Sequence, residues 1–258
     1  MIVEHKGSSV FYTDEGKGDA VVFLHGFLEN STMWQSLISN LTPTYRIICI
    51  DLLGHGQTGC LGYIHTMEDM AEAVKAVTDE LALDTFSLIG HSMGGYVALA
   101  FTEKYRDTIN GLCLMNSTAL EDNAERKLNR DRAIEAVKKN HQTFVSLSIA
   151  NLFAPYNREL YKKEIELVKQ EALKTPVQGI IAALEGMKIR PNREVVLQNT
   201  SFKKLLILGR KDPVLEYNKL INQAYDAHVD IAVFPDGHMS HIENKSELDY
   251  KIKHFIEK

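Results

Sequence analysis

Short apolar runs alternate along the chain with stretches of helical periodicity. Six apolar runs bounded by turn residues are predicted to form strands: 21–24, 46–50, 86–89, 112–115, 205–208 and 231–234. Continuous apolar runs of this length are typical of strands covered on both faces, as in parallel sheets. Residues 10–13, which precede them, are predicted to belong to an N-terminal hairpin at the sheet edge. The alternation therefore predicts an α/β fold with a mostly parallel sheet and right-handed crossovers.

Helices are predicted between these runs. Thr66 opens one with a capping-box-like spacing to Asp69, and apolar residues then recur at three- and four-residue steps up to residue 81. Residues 92–105 and 243–256 are predicted to form two more helices. Further along the chain, Thr175 is expected to cap a helix whose first residue is Pro176.

One segment breaks the alternation. Between residues 118 and 190 the sequence has no strand-like run and only helical periodicity. A block of about 70 residues is too long for a simple loop. We therefore predict that residues 118–190 form a helical lid packed over the end of the sheet, and that residues 1–117 and 191–258 form the core.

Composition and charge exclude several classes of protein. The 258 residues carry a formal net charge of −5, which gives no basic footprint for nucleic acid. No apolar run approaches the roughly 20 residues of a membrane span, and the first residues do not resemble a signal peptide. Cys49, Cys60 and Cys113 form no CxxC pair and read as free thiols of a reducing compartment. We expect a cytoplasmic protein.

The strongest chemical signal is the sequence Gly-His-Ser-Met-Gly at residues 90–94, which follows a predicted strand and precedes a predicted helix. This is the context of a G-x-S-x-G nucleophile elbow, in which a tight strand-to-helix turn exposes the serine hydroxyl. Such a turn strains the backbone of the serine and leaves no room for bulky neighbours. Ser92 is therefore the predicted nucleophile.

A serine hydroxyl needs a base, and the base needs an orienting acid. In this arrangement the partners follow along the chain in the order acid and then histidine. Asp212 comes just after the run 205–208, and His238 comes just after the run 231–234. Catalytic groups gather at the carboxyl ends of the strands in open α/β sheets. Ser92, Asp212 and His238 are thus the predicted catalytic residues.

Several nearby residues compete for these roles. His241 is the alternative base, whereas Asp236 is expected to be a turn residue because it precedes a glycine. Gly237 supports His238, since a flexible residue before the histidine lets the loop aim it. The position after another predicted strand, where the orienting acid could also lie, is occupied by Asn116. Because Asn116 is an amide and not an acid, Asp212 is favoured as the acid.

Backbone N–H groups near the first strand complete the predicted site. Those of Phe27 and Met93 are expected to form an oxyanion hole. His25 is expected to pin its loop by hydrogen bonds, and no direct chemical role is expected for Asp51 or His55. The remaining histidines are too dispersed for a metal site, and no phosphate-binding glycine pattern occurs. The sequence therefore implies neither a metal nor an organic cofactor.

These motifs together resemble the α/β-hydrolase superfamily, in particular its lid-bearing serine hydrolases and esterases, over nearly the whole chain. The resemblance implies a mostly parallel eight-stranded sheet with helices on both faces, an inserted helical lid and ester hydrolysis through an acyl-enzyme. It is carried by the following residues: His25-Gly26-Phe27, Asp51 with Gly54-His55-Gly56, Gly90 to Gly94, Asp212, Gly237-His238 with Glu243, and Gly186 to Pro191.

Departures from individual subfamilies narrow the expected activity. Haloalkane dehalogenases and epoxide hydrolases of this fold have an aspartate at the elbow, where this chain has Ser92. Menaquinone-pathway synthases, which are lyases with the same triad, usually carry an arginine soon after the elbow, where this chain has Tyr96. That synthase activity and a cofactor-free haloperoxidase or perhydrolase activity stay open as alternatives. A non-catalytic binding protein is less expected because all three triad residues are present.

The predicted lid also suggests a class of substrate. We expect about two thirds of its apolar residues to pack the lid itself and the remainder to line a mostly apolar pocket. We expect its basic residues to form a solvated surface. A small uncharged ester is therefore the predicted substrate. The apolar residues considered are Phe144, Leu147, Ile149, Leu152, Phe153, Ile180, Ile181, Leu184 and Met187.

Overall fold

A computed structural model, which describes residues 1–258, contains a single eight-stranded sheet with the order β1-β2-β4-β3-β5-β6-β7-β8. Strands β3 to β8 are parallel to one another, whereas β1 and β2 form an antiparallel hairpin that joins the edge of β4. The predicted fold class and the N-terminal hairpin are thereby confirmed. The strands are β1 Ile2–His5, β2 Ser8–Glu15, β3 Ala20–Leu24, β4 Arg46–Ile50, β5 Phe86–His91, β6 Ile109–Met115, β7 Lys203–Gly209 and β8 Asp230–Phe234.

The parallel strands are buried on both faces because helices cover each side. On β3, Val21 and Phe23 pack into one apolar cluster with Leu37 and Phe255, which belong to two helices on the same side of the sheet. Alternate residues of the same strand, such as Val22, pack into a larger cluster on the opposite face. The helices are α1 Gln35–Leu41, α2 Met67–Glu80, α3 Met93–Lys104, α4 Ala124–Lys139, α5 His141–Ala150, α6 Lys162–Ala172, α7 Val177–Ile189, α8 Glu194–Gln198, α9 Tyr217–Asp226, α10 Ser240–Glu243 and α11 Lys245–Glu257. Continuous apolar strands therefore form the middle layer of three.

Helix boundaries follow the predicted caps in one place and depart from them in another. The Thr66 hydroxyl accepts from the N–H of Asp69, so α2 begins where the sequence predicts. Pro176, by contrast, has an extended backbone with ψ of 143° and is itself the N-cap of α7. The predicted cap at Thr175 is therefore wrong by one residue.

The C-terminal helix differs from the sequence prediction as well. Instead of one helix over residues 243–256, the chain forms the short α10 and then α11, with a break at Asn244. The backbone of Asn244 has φ of −136° and ψ of 39°, which lies outside the helical region. Its side chain donates to Asp236 at 2.7 Å, so the break is held by a bond to the loop before α10.

Residues 116–202 contain no strand, and helices α4 to α8 lie between β6 and β7. The segment between β6 and β7 contacts the rest of the chain through backbone bonds as well as side chains. The N–H of His65 donates to Ala182 of α7 at 3.0 Å, and the N–H of His238 donates to Leu152 at 2.9 Å. None of the helices in the structure combines the length and the apolar character that crossing a membrane requires.

Candidate active site

The turn between β5 and α3 forces Ser92 into a strained backbone conformation, with φ of 49° and ψ of −112°. A side chain at Gly90 would collide with the backbone of Gly94, and one at Gly94 would collide with that of Leu24. Both glycines are therefore required by close backbone approach. The strained serine lies at the head of α3, as the G-x-S-x-G pattern predicts.

Three of the predicted site residues form one hydrogen-bonded chain. The Ser92 Oγ lies 2.9 Å from Nε2 of His238, and Nδ1 of His238 lies 2.7 Å from Oδ2 of Asp212. The side chains of His238 and Asp212 are almost completely buried. These distances allow Nδ1–H to donate to the carboxylate while Nε2 accepts from the serine hydroxyl.

Asp212 is held by its own loop and by a neighbouring strand. Its Oδ1 accepts from the N–H groups of Val214 at 2.8 Å and Leu215 at 3.1 Å, and Oδ2 accepts from the Asn116 amide at 3.1 Å. Burial alone would raise the pKa of the Asp212 carboxyl, but His238 and these donors hold that pKa below its usual value. Asp212 is thus kept ionised beside the imidazole.

The competing residues lie elsewhere in the loop network. Nε2 of His241 is 3.8 Å from Glu29, and its ring packs near Trp34. Asp236 accepts hydrogen bonds from the side chains of Asn157 and Asn244. Neither residue belongs to the chain that includes Ser92.

The predicted oxyanion donors lie at the same edge of the sheet. Phe27 follows β3, and its backbone N–H has no hydrogen-bond partner in the protein. Met93 is the first residue of α3, where a backbone N–H has no acceptor within the helix. Phe27 also lines the cavity that contains Ser92.

Two loops beside this edge are held by buried side chains. His25 donates from Nδ1 to the Gly26 carbonyl and accepts the Leu52 N–H at Nε2, as expected for a residue that pins its loop. Asp51 accepts from the N–H groups of Ser31 and Gln57. The buried His55 contacts the Leu53 carbonyl through Nδ1, and its Nε2 has no hydrogen-bond partner. His25 thus makes the hydrogen bonds expected of a residue that holds its loop.

A buried pair beside the triad was not anticipated from the sequence. Glu29 Oε2 accepts from His91 Nδ1 at 2.6 Å and from the Gly26 N–H at 2.8 Å. Nε2 of His91 lies 3.0 Å from the carbonyl oxygen of His238. Because both ring nitrogens face groups that can only accept, His91 must donate from both and is an imidazolium.

The electrostatics of this pair agree with that protonation state. Burial alone would raise the pKa of Glu29, but the neighbouring His91 lowers it to about 2. Burial works against a charged His91, yet Glu29 raises the pKa of that imidazole above 6.5. His241 stands on the other side of Glu29, and its pKa is lowered to about 4 chiefly by burial. The cluster is therefore a carboxylate with one charged and one neutral imidazole.

Glu29, His91 and His241 are also the residues best placed to share a cation. One potential ligand atom from each lies within 4.8 Å of the others. Both nitrogens of His91 are already used in hydrogen bonds, to Glu29 and to the His238 carbonyl. Binding an ion would break the contact that holds the His238 backbone, so we interpret the cluster as a buried ion pair.

Two adjoining cavities open above Ser92. The inner one, of about 120 Å³, is bordered by Ser92 and His238. The outer one, of about 550 Å³, extends toward α4 and α5. They share five lining residues, which are Phe27, Arg130, Ser148, Leu152 and Val214.

The apolar residues of helices α4 to α7 divide between packing and these cavities. Leu152 and Met187 line the inner cavity, and Phe144 and Leu184 line the outer one. Of the other candidates, Leu147 is exposed, Ile181 packs against the core, and three are fully buried: Ile149, Phe153 and Ile180. Contrary to the expectation of a solvated basic surface, three arginines also line the outer cavity: Arg126, Arg130 and Arg158.

Comparisons with known proteins identify the family and relatives of the same fold. A sequence profile described as alpha/beta hydrolase fold matches residues 19–245. A thermophilic esterase from Thermogutta terrifontis, in a structure described as malate bound, is 30% identical, with a TM-score of 0.92 over 99% of this chain and 96% of that one.

Two curated relatives match over shorter stretches. The (E)-2-((N-methylformamido)methylene)succinate hydrolase of Acinetobacter baylyi is 25% identical over 66% of this chain and 61% of its own length. The 2-hydroxy-6-oxononadienedioate/2-hydroxy-6-oxononatrienedioate hydrolase of Escherichia coli is 30% identical over 58% of this chain and 54% of its own. The chain thus spans less than two thirds of the length of these relatives.

Proposed function

Because the chain belongs to the alpha/beta hydrolase fold family, we propose that it is a serine hydrolase that cleaves carboxylic esters through an acyl-enzyme. The observation that carries this proposal is the hydrogen-bonded chain from Ser92 through His238 to Asp212, which borders a cavity. A serine with an oriented base is the arrangement needed for nucleophilic attack on a carbonyl. The likeness to an esterase over nearly the whole chain favours an ester as the substrate.

In the first half of the reaction, Nε2 of His238 accepts the proton of Ser92 as Oγ attacks the ester carbonyl. The ionised Asp212 stabilises the imidazolium that forms and keeps Nδ1–H pointed at its own Oδ2. The imidazolium then gives its proton to the departing alcohol. In the second half, His238 takes a proton from water, which attacks the acyl group and releases the acid and the free serine.

The carbonyl oxygen becomes negatively charged in each tetrahedral intermediate and needs hydrogen-bond donors. The N–H groups of Phe27 and Met93 are the proposed oxyanion hole. Phe27 supports this role because its N–H is free and its residue lines the inner cavity. The N-terminal end of α3 adds a favourable field for the same negative charge.

We also propose that residues 118–190 act as a lid over a core made of residues 1–117 and 191–258. This segment supplies Ser148, Leu152 and Met187 to the lining of the inner cavity. Its Leu152 carbonyl accepts the N–H of His238, so the segment contributes to the position of the base as well as to the cavity.

A fluorophosphonate probe tests the proposal directly. We expect the probe to label the wild type once, with the mass shift on the peptide containing Ser92, and to leave Ser92→Ala unlabelled. Ser39→Ala, which changes an exposed serine of α1, is the matched control and should be labelled like the wild type. Labelling of Ser92→Ala, or ester hydrolysis by it at the wild-type rate, would overturn the mechanism. Product analysis on the ester separates hydrolysis from elimination or perhydrolysis on the same triad.

A further inference from the structure

We infer that the substrate of this site carries a carboxylate, which Arg130 and Arg158 bind in the outer cavity while the ester carbonyl lies at Ser92. This inference rests on the proposed function and adds the class of substrate to it. It departs from the uncharged ester predicted from the sequence.

The continuity of the two cavities places the arginines within reach of the reacting serine. Arg130 lines both the inner cavity, with Ser92 and His238, and the outer cavity. Arg158 lines the outer cavity and lies just after the short helical turn Pro155–Asn157. A ligand whose carbonyl is at Ser92 can therefore extend past Arg130 into the outer cavity, because the two cavities share that part of their lining.

Arg158 has no partner in the protein. It forms no ion pair, its guanidinium makes no hydrogen bond, and its Nε is buried without an acceptor. Nearly all buried polar groups in folded proteins are hydrogen-bonded, so an orphaned buried N–H of a charged group indicates a site for an acceptor. The planar fork of a guanidinium matches the two oxygens of a carboxylate.

Arg130 is held in place while part of its guanidinium stays free. Its Nε donates to Oδ2 of Asp122 at 3.0 Å, and its two terminal nitrogens have no protein acceptor. The same Asp122 carboxylate, which is fully buried, also bonds to Arg126 and Arg190. One negative charge thus faces three positive ones, which leaves a cationic excess beside the cavity.

The rest of the lining fits a hydrocarbon chain that ends in a carboxylate. The outer cavity has no acidic residue, and its polar members besides the arginines are Asn129, Ser148 and Asn151. Apolar side chains, among them Phe27 and Leu152, lie on the path shared with the inner cavity. An apolar passage between the serine and the arginines would cover the methylene groups of a dicarboxylic acid monoester.

The test compares two 4-nitrophenyl esters of the same shape, the monoester of glutaric acid and the neutral 5-methylhexanoate. For the wild type we expect kcat/KM to be at least tenfold higher for the glutarate ester, with the preference weakening as salt is added. In Arg158→Gln and in Arg130→Gln, the ratio of the two kcat/KM values should fall by about 10- to 100-fold, the loss expected for a charge-assisted hydrogen bond. Arg158→Gln breaks no native hydrogen bond or ion pair and should fold normally.

Arg132→Gln is the matched control, since Arg132 is an exposed arginine of the same helix as Arg130 and does not line either cavity. Its ratio of the two kcat/KM values should stay within twofold of the wild type. A wild type that prefers the neutral ester, or Arg158→Gln and Arg130→Gln variants with an unchanged ratio, would overturn the inference and leave the proposed hydrolysis standing.

Calorimetry separates the inference from the proposed function. In the Ser92→Ala background the glutarate ester should bind without turnover, and adding Arg158→Gln should weaken that binding at least tenfold. If the glutarate ester binds in this arginine-dependent way but the wild type hydrolyses neither ester, the proposed function is wrong and the anion site is supported. No binding to Ser92→Ala would count against the anion site.

Discussion

Replacing Glu29 by glutamine tests whether the buried pair with His91 stabilises the loops around the triad. Glu29 links three of these loops. It accepts hydrogen bonds from the N–H of Gly26, in the loop after β3, and from His91, next to Ser92. His91 in turn donates to the carbonyl oxygen of His238. The substitution keeps the shape of the side chain and removes its charge. It leaves the buried imidazole of His91 without its counter-ion.

The expected loss in the free energy of unfolding follows from the pKa of Glu29. A carboxyl group whose pKa falls from 4.5 to about 2 on folding is linked to about 3 kcal/mol of stability. Removing one partner of a buried ion pair typically costs about 3–5 kcal/mol, which is consistent with that figure. We therefore expect Glu29→Gln to lower the free energy of unfolding by about 3 kcal/mol near pH 6.

The stability lost in Glu29→Gln should depend on pH in a defined direction. Because the pKa of Glu29 is lowered on folding, its contribution is complete above about 4.5 and disappears as the pH falls toward 2. Because the pKa of His91 is raised above 6.5, its contribution is complete below 6.5 and disappears as the pH rises through the folded-state pKa. The difference between wild type and variant should therefore be largest between pH 4.5 and 6.5 and should shrink on either side.

Urea unfolding at a series of pH values measures this difference. Trp34, the only tryptophan and fully buried, reports the transition by its fluorescence. Glu135→Gln, at an exposed position of α4, is the control and should change stability by less than about 0.5 kcal/mol. A Glu29→Gln variant as stable as the wild type at pH 6, or a loss that stays constant from pH 5 to pH 9, would refute the reasoning.

Three further predictions concern the site and its support. His238→Ala should reduce kcat/KM for an ester by about 10³-fold or more, whereas His241→Ala should be mild, and the reverse order in steady-state assays would reassign the base. Asn116→Ala should lower kcat about 10- to 100-fold because the amide no longer orients the Asp212 carboxylate. A shifted pH–rate profile would distinguish this loss of orientation from simple destabilisation of the protein. Asp122→Asn should lower the free energy of unfolding in urea by about 3 kcal/mol, because it leaves the buried guanidinium of Arg190 and the half-buried ones of Arg126 and Arg130 without their shared counter-ion. An unchanged unfolding midpoint would contradict that account.

Local sequence patterns were enough to predict the elements that position Ser92, Asp212 and His238. Strand β5 is a continuous apolar run, and the glycines around Ser92 mark a turn that only small residues permit. Asp212 and His238 could be chosen because parallel strands bring their carboxyl ends to one edge. Each of these inferences needs only residues that are near one another along the chain or the general geometry of a parallel sheet.

Contacts between segments that are distant along the chain could not be predicted from local sequence patterns. Glu29 and His91 are 62 positions apart, and neither residue is unusual in its local sequence. The helical spacing of Arg126 and Arg130 suggested a solvated face, because periodicity cannot tell a face that meets solvent from one that meets a cavity. What turns these arginines inward is the buried Asp122, whose position depends on the folding of the whole helical segment.

The same helical segment holds the catalytic loops as well as the arginines. Its Leu152 carbonyl accepts the N–H of His238, and Arg126 donates to the carbonyl of Val214, whose N–H in turn donates to Asp212. Lifting the segment away as one body would break the bond to His238 and the bond to Val214, whose N–H helps to hold Asp212. Access to the serine is therefore expected through the outer cavity, past Arg130 and Arg158, with the helices in place. A substrate that enters this way would meet the guanidinium groups before Ser92, so the proposed selection by charge would precede the proposed reaction.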